Sequence, residues 1–233
     1  MNELLNPKEK EKPPIKAVIF DFDGLLVDSE GSWSKARGKM LQKYNRTYTL
    51  EEKRQLMGRD YKETVLWMIA NYNLPISPEE YIEEEQEILR KLYERVCLMP
   101  GVLNFMNQLD ERFILKAVAS SNTRSRVEST LRRLNINNFK AIVSGDDVQK
   151  GKPHPEIFLT TASLLGLSPN SCVVLEDSPL GIMAANAAGM YVVAVVDERF
   201  TDTKDFDDES KPNLIVGSLD ELTIERLKEL AKQ

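Results

Sequence analysis

Histidine occurs once in the 233 residues, at His154, and cysteine twice, at Cys97 and Cys172. A single histidine cannot assemble a histidine-ligated metal cluster, and His154 is read as part of the turn that positions Lys152. The two cysteines are far apart and show no CxxC spacing, which excludes a disulfide framework or a thiolate zinc site and fits a reducing compartment. Both are expected to be small buried side chains. No run is long and apolar enough to cross a bilayer, and the first fourteen residues, MNELLNPKEKEKPP, lack an apolar core of signal-peptide length. A cytoplasmic protein with a frayed N-terminal tail is expected. Positive charge is in deficit: 31 Lys and Arg stand against 37 Asp and Glu, a net charge of -6. Nucleic-acid binders usually carry a basic face, so a nucleic-acid partner is not expected.

What is present is ordinary for a globular chain, with 42% hydrophobic and 29% charged residues. The length suffices for one large core and a smaller domain. After Pro13-Pro14 comes the β-branched run Lys16-Ala17-Val18-Ile19-Phe20, which stops abruptly at Asp21-Phe22-Asp23-Gly24. Such a run, apolar on both faces, reads as a buried parallel strand opening into a turn. Similar runs recur at 115–119, 141–143, 172–175, 192–196 and 214–216. Helical periodicity lies between them, over 124–134 and 155–165, and a final helix is expected over 219–230. Alternation of strand and helix predicts an α/β fold with a Rossmann-like parallel sheet covered on both sides.

Residues 31–98 differ, because they read as helix throughout. Trp33, Ala36, Met40, Leu41 and Tyr44 follow helical spacing, as do Tyr61, Val65, Met68, Ile69 and Tyr72. Ser77-Pro78-Glu79-Glu80 forms a capping box with proline at the first helical position, and Pro100-Gly101 marks the return to alternating structure. An all-helical cap domain over 31–98, inserted into a catalytic core formed by 1–30 and 99–233, is the expected organisation.

In an open parallel sheet, ligands gather beyond the carboxyl ends of the strands. Polar residues follow the strands immediately here: Asp21 and Asp23, then Ser120 and Ser121, then Glu176 and Asp177, with Lys152 on a Gly-Lys-Pro turn. Four carboxylates in one crevice would repel, and a hard divalent cation with oxygen ligands removes that conflict. The Ser120 hydroxyl, the Ser121 amide and the Lys152 ammonium offer donors and charge to a phosphate group. These parts suggest phosphoryl transfer through an aspartate, with Asp23 two residues along to move the proton. Taken singly each motif has an ordinary explanation as a turn, a strand end or a helix cap. Their ordered recurrence after successive strands does not.

Asp21-Phe22-Asp23-Gly24-Leu25-Leu26-Val27-Asp28-Ser29 resembles the first motif of the haloacid dehalogenase-like hydrolases. Val118-Ala119-Ser120-Ser121-Asn122 resembles the second, Gly151-Lys152-Pro153-His154-Pro155 the third, and Leu175-Glu176-Asp177-Ser178 the fourth. The resemblance extends from about Lys16 onward. It implies Asp21 as nucleophile, Asp23 as acid/base, and Mg²⁺ held by Asp21, the Asp23 carbonyl and Asp177, with Glu176 close by. Within the family the chain is similar to the branch of β-phosphoglucomutase and the sugar-phosphate phosphatases. In that branch a helical cap selects the leaving group, and Gly58 and Arg59 resemble its specificity loop, with Asn122 beside the phosphate donors. The implied activity is a Mg²⁺-dependent phosphatase acting on a small phosphorylated metabolite, as a monomer, with neither nucleic acid nor membrane as partner. A phosphomutase remains the enzymatic alternative, and a non-catalytic phosphosugar-binding module the alternative of another class. Trp33 stands where the mutases commonly carry histidine, which favours hydrolysis.

Overall fold

The first strand, β1 (Ala17–Phe20), carries only apolar side chains, and all four are buried. Both of its faces must therefore be covered, and the period-2 alternation of a strand divides them. Val18 and Phe20 join one core cluster, Ala17 and Ile19 the other. The computed structural model describes residues 14–56, 59–136, 138–200, 204, 206 and 208–231. The expectations for the N-terminal tail and for Gly58 lie outside the described residues.

Five further strands join β1 in one parallel sheet: β2 (Leu115–Ala119), β3 (Ala141–Val143), β4 (Cys172–Glu176), β5 (Tyr191–Val195) and β6 (Leu214–Val216). Their order is β3-β2-β1-β4-β5-β6, so the direction of winding reverses beside β1. Phe20 sits opposite Val118 of β2 and Leu175 of β4. That register brings the residues that follow these strands to one edge, the crevice in which such sheets bind ligands. Helices α5 (Val102–Glu111), α6 (Arg124–Arg133) and α9 (Ile224–Leu230) cover one face. Helices α7 (Glu156–Leu165) and α8 (Pro179–Ala187) cover the other. The α/β Rossmann-like sheet expected from the alternation is present.

Between β1 and α5 the chain forms α1 (Glu30–Gln42), α2 (Leu50–Leu56), α3 (Tyr61–Tyr72) and α4 (Pro78–Tyr93). Met40, Leu41, Leu56, Val65, Met68 and Tyr81 give this helical insertion its own core. The capping box at the start of α4 forms, with Glu80 N–H donating to Ser77 Oγ at 3.2 Å and Ser77 N–H to Glu80 Oε2 at 3.0 Å. The two chain crossings into the insertion bond to each other as a short antiparallel bridge. Asp28 N–H donates to Cys97 O at 2.9 Å, and Met99 N–H to Leu26 O at 3.0 Å. Arg199, beyond β5, clasps both Asp28 oxygens at 3.0 and 3.1 Å.

Two expectations are corrected. Cys172 is buried, but Cys97 is exposed. It lies on the extended crossing next to buried Val96, where alternation turns its side chain outward. The single helix expected over 219–230 is two pieces, a short 3₁₀ turn at Leu219–Glu221 and then α9. Leu222 is extended, and Thr223 Oγ1 accepts from Arg226 N–H at 3.3 Å to start a new helix.

Candidate active site

Asp21 continues the β1 ladder by one residue, its N–H donating to Leu175 O at 2.9 Å. The chain then turns sharply, with Gly24 at φ +80 and its N–H on Val27 O. A side chain at Gly24 would place Cβ 2.1 Å from Asp177 Oδ2. Glycine therefore serves two needs here, the left-handed conformation and the close approach of Asp177.

Lys152 reaches the sheet edge from the turn before α7. Its Nζ lies 2.5 Å from Asp21 Oδ1 and 2.5 Å from Glu176 Oε1, and all three side chains are buried. Glu176 Oε2 accepts from Asp177 N–H, Ser178 N–H and the Ser178 hydroxyl at 2.9–3.0 Å. Both of its oxygens are thus engaged. A Cβ at Gly181, in the first turn of α8, would fall 1.8 Å from Glu176 Oε1, so the glycine makes room for this buried acid.

Asp21, Glu176 and Asp177 each offer an oxygen, and these atoms lie within 4.8 Å of one another. Burial pushes the Asp21 carboxyl well above its ordinary pKa; Lys152 opposes the shift and Glu176 adds to it. Burial likewise raises Asp177, reinforced by Glu176, Asp21 and Glu30. Burial works against the Lys152 ammonium, yet Asp21 and Glu176 outweigh it and hold its pKa above the usual lysine value. One lysine does not compensate three close carboxylates. The excess negative charge and the all-oxygen donor set fit a hard divalent cation.

Asp23 is held apart from that cluster. Its Oδ1 accepts from the Ser29 hydroxyl at 2.6 Å, from Trp33 Nε1 at 3.3 Å and from the Tyr93 hydroxyl. Its Oδ2 accepts from Asn122 Nδ2 at 3.0 Å. The residues named from the sequence thus fall into distinct places. Asp21, Asp23, Ser121, Asn122, Lys152 and Asp177 line one cavity under the helical insertion. Glu176 stands behind Lys152. Ser120 is buried behind the lining, its Oγ accepting from Asn122 N–H at 3.0 Å. Arg59, contributed by the helical insertion, lines the same cavity and is exposed, with Nε donating to Gln55 O at 3.1 Å.

Sequence reasoning missed Tyr93, Arg37 and Glu30. Tyr93 sits at helical spacing beside Leu89 and Val96, so nothing in the pattern separates it from core. Arg37 also lines the cavity, at 4.0 Å from Glu85, and its buried Nε has no hydrogen-bond partner. Trp33 stands out in the sequence only by its position, which carries no sign of its bond to Asp23.

A carboxylate cluster around one lysine thus lies at the carboxyl edge of the parallel sheet, beside a cavity lined from the helical insertion as well. A sequence model of the haloacid dehalogenase-like hydrolases matches residues 18–195. A probable pseudouridine-5'-phosphatase of Drosophila melanogaster is 36% identical over 193 residues, which cover 80% of this chain and 84% of that protein. A phosphorylated carbohydrates phosphatase of Thermotoga maritima is 31% identical over 192 residues, covering 82% and 89%. A β-phosphoglucomutase crystal structure from Clostridium difficile superposes with a TM-score of 0.82 at 26% identity, covering 94% of this chain and 97% of that one. The chain belongs to the haloacid dehalogenase-like hydrolase family. No helix among the described residues is long and apolar enough to cross a membrane.

Proposed function

We propose that the chain is a Mg²⁺-dependent phosphatase of small phosphorylated metabolites, working through an aspartyl-phosphate on Asp21. The observation that carries this reading is the Asp21–Lys152–Glu176 constellation, with Asp177 completing an oxygen-only cluster. Asp21 and Asp177 would hold the Mg²⁺, with the Asp23 carbonyl as a further ligand. Glu176, already bonded to Lys152 and to the turn after β4, would support the site from behind. When bound, the ion supplies positive charge against the phosphoryl oxygens.

The residues divide the remaining work. An Asp21 oxygen attacks phosphorus, while Lys152 neutralises equatorial charge and favours the ionised form of Asp21 against the effect of burial. Ser121 and Asn122 border the same cavity and orient the phosphoryl group. Asp23 gives its proton to the leaving oxygen as the P–O bond breaks. It then takes a proton from the water that attacks the aspartyl-phosphate, returning Asp21 to its starting state.

Residues 31–98 act as the cap in this account. The cavity measures ≈ 80 Å³, far below the roughly 300–1,000 Å³ typical of ligand pockets. A phosphorylated sugar or nucleoside therefore enters only when the cap lifts about the crossings at Asp28 and Leu98. Arg59, on the cap side, reads the leaving group. The names of the relatives favour sugar or nucleoside monophosphates as substrates.

A mutase is the second reading, favoured by the likeness to β-phosphoglucomutase. Trp33 weighs against it. Its indole donates to Asp23 but cannot relay a proton at neutral pH, so nothing there protects an aspartyl-phosphate from water until a second sugar binds. Release of phosphate from p-nitrophenyl phosphate, with Mg²⁺ and with EDTA, tests the main reading. A panel of phosphorylated metabolites then ranks the substrates. Conversion of β-glucose 1-phosphate to glucose 6-phosphate faster than phosphate release would establish the mutase instead.

A further inference from the structure

Tyr93 is the last residue of α4, and three separate contacts fix it. Its hydroxyl donates to Asp23 Oδ1 and accepts from Asn122 Nδ2 at 3.2 Å. Its ring lies 5.0 Å from the Arg126 guanidinium and meets Trp33 edge-on at 6.4 Å. Its carbonyl accepts from Arg133 Nη2 at 2.9 Å, and the same nitrogen reaches Val96 O at 2.6 Å. Both arginines belong to α6, a helix of the sheet layer, and Arg126 Nη1 also donates to Asn122 Oδ1 at 3.0 Å. The end of α4 is therefore pinned to the core at the point where it touches Asp23.

Such an arrangement exceeds what packing a tyrosine requires. A buried phenol needs one partner, and a Phe would fill the same space. Here the phenol spends its only proton on the carboxylate that moves protons for the reaction. Burial first, and then the charge of Asp23, keep that phenol protonated far above its usual range. It exchanges no proton itself and always presents a donor.

We propose that Tyr93 is a positioning residue for the acid/base Asp23, holding its carboxylate in the orientation that serves the leaving oxygen. The inference rests on the reading of Asp23 given above. Asp23 still supplies the proton as the P–O bond breaks and regains one from water. Tyr93 contributes only geometry.

The test uses the dependence on leaving group. An alkoxide must be protonated as it departs, whereas p-nitrophenolate leaves well unaided, so a misplaced acid costs the alkyl ester far more. Tyr93→Phe and Asp23→Asn are measured beside the unaltered protein on glycerol phosphate and p-nitrophenyl phosphate. The ratio of the two kcat/KM values reports the step in which the leaving group departs, and it is independent of how much of each variant is folded and active. Losing the hydrogen bond that aims the acid should lower the alkyl-to-aryl ratio of Tyr93→Phe by about two- to tenfold. Asp23→Asn should lower it further. An unchanged ratio in Tyr93→Phe, with the ratio lowered in Asp23→Asn, overturns the role of Tyr93 alone. An unchanged ratio in Asp23→Asn overturns the acid/base reading itself, and the inference with it.

Discussion

Lys152 Nζ and Asp21 Oδ1 lie 2.5 Å apart, although 131 residues separate them in the chain, and both side chains are buried. The contact joins the end of β1 to the turn before α7 and makes the ammonium part of the site's charge balance. Replacing Lys152 by Ala leaves Asp21 and Glu176 buried without their cation, and breaking such a pair typically costs about 3–5 kcal/mol. Lys152→Ala should therefore melt at a lower temperature and remain inactive at any Mg²⁺ concentration. Asp177→Ala should instead lose affinity for the metal, and part of its activity should return as Mg²⁺ is raised. Identical, unrescued titrations would remove Asp177 from the ligand set.

Gly24→Ala tests the turn after β1. The added Cβ would stand 2.1 Å from Asp177 Oδ2 at φ +80, so the substitution strains the backbone by about 1–2 kcal/mol and displaces a proposed ligand. A modest fall in melting temperature with a much larger loss of Mg²⁺-dependent turnover is expected. Full activity would mean that the turn relaxes without moving Asp177.

The raised pKa values of Asp21 and Asp177 have a consequence for stability. Both folded values lie above the ordinary unfolded carboxyl value of about 3.9. The neutral carboxyls therefore favour the folded state below the unfolded pKa, and this contribution is lost as pH rises through the folded values. Lys152, held above the usual lysine value, stays charged throughout that window. The metal-free protein should lose stability as the two acids ionise, and Mg²⁺ should restore it. The rise in melting temperature on adding Mg²⁺ should be larger at about pH 8 than at about pH 5. A rise independent of pH would contradict the site's charge account.

Much of this was legible in the sequence. β1 is marked by four apolar residues stopping at Asp21, and the same abrupt end of the apolar runs at Ala119 and Leu175 puts Ser120 and Glu176 at one edge. A buried parallel strand has no polar face to blur its limits, so the strand bounds were recovered almost to the residue. The partners of Asp23 were not legible. Trp33 and Tyr93 satisfy helical spacing whether their polar atoms are used or idle, and only tertiary structure brings residues 70 positions apart onto one carboxylate. The break at Leu222 was hidden in the same way, because apolar residues fell on helical spacing across it.

Arg59 faces the cavity from the cap with its Nε tied to Gln55 O. Arg59→Ala should change the ranking among phosphorylated metabolites by more than it changes hydrolysis of p-nitrophenyl phosphate. Stability should barely move, since the side chain is largely exposed. Equal losses on every substrate would assign Arg59 a structural role instead.

The central claim is that the phosphoryl group passes through Asp21. The protein is mixed with an excess of a hydrolysed phosphate ester and Mg²⁺, quenched in acid during turnover, digested and examined by mass spectrometry. The account predicts one phosphoryl group on the peptide containing Asp21, and none in Asp21→Asn, whose turnover should fall by several orders of magnitude while the fold survives. Steady turnover by a folded Asp21→Asn protein, or a phosphoryl group trapped on another residue, would contradict it.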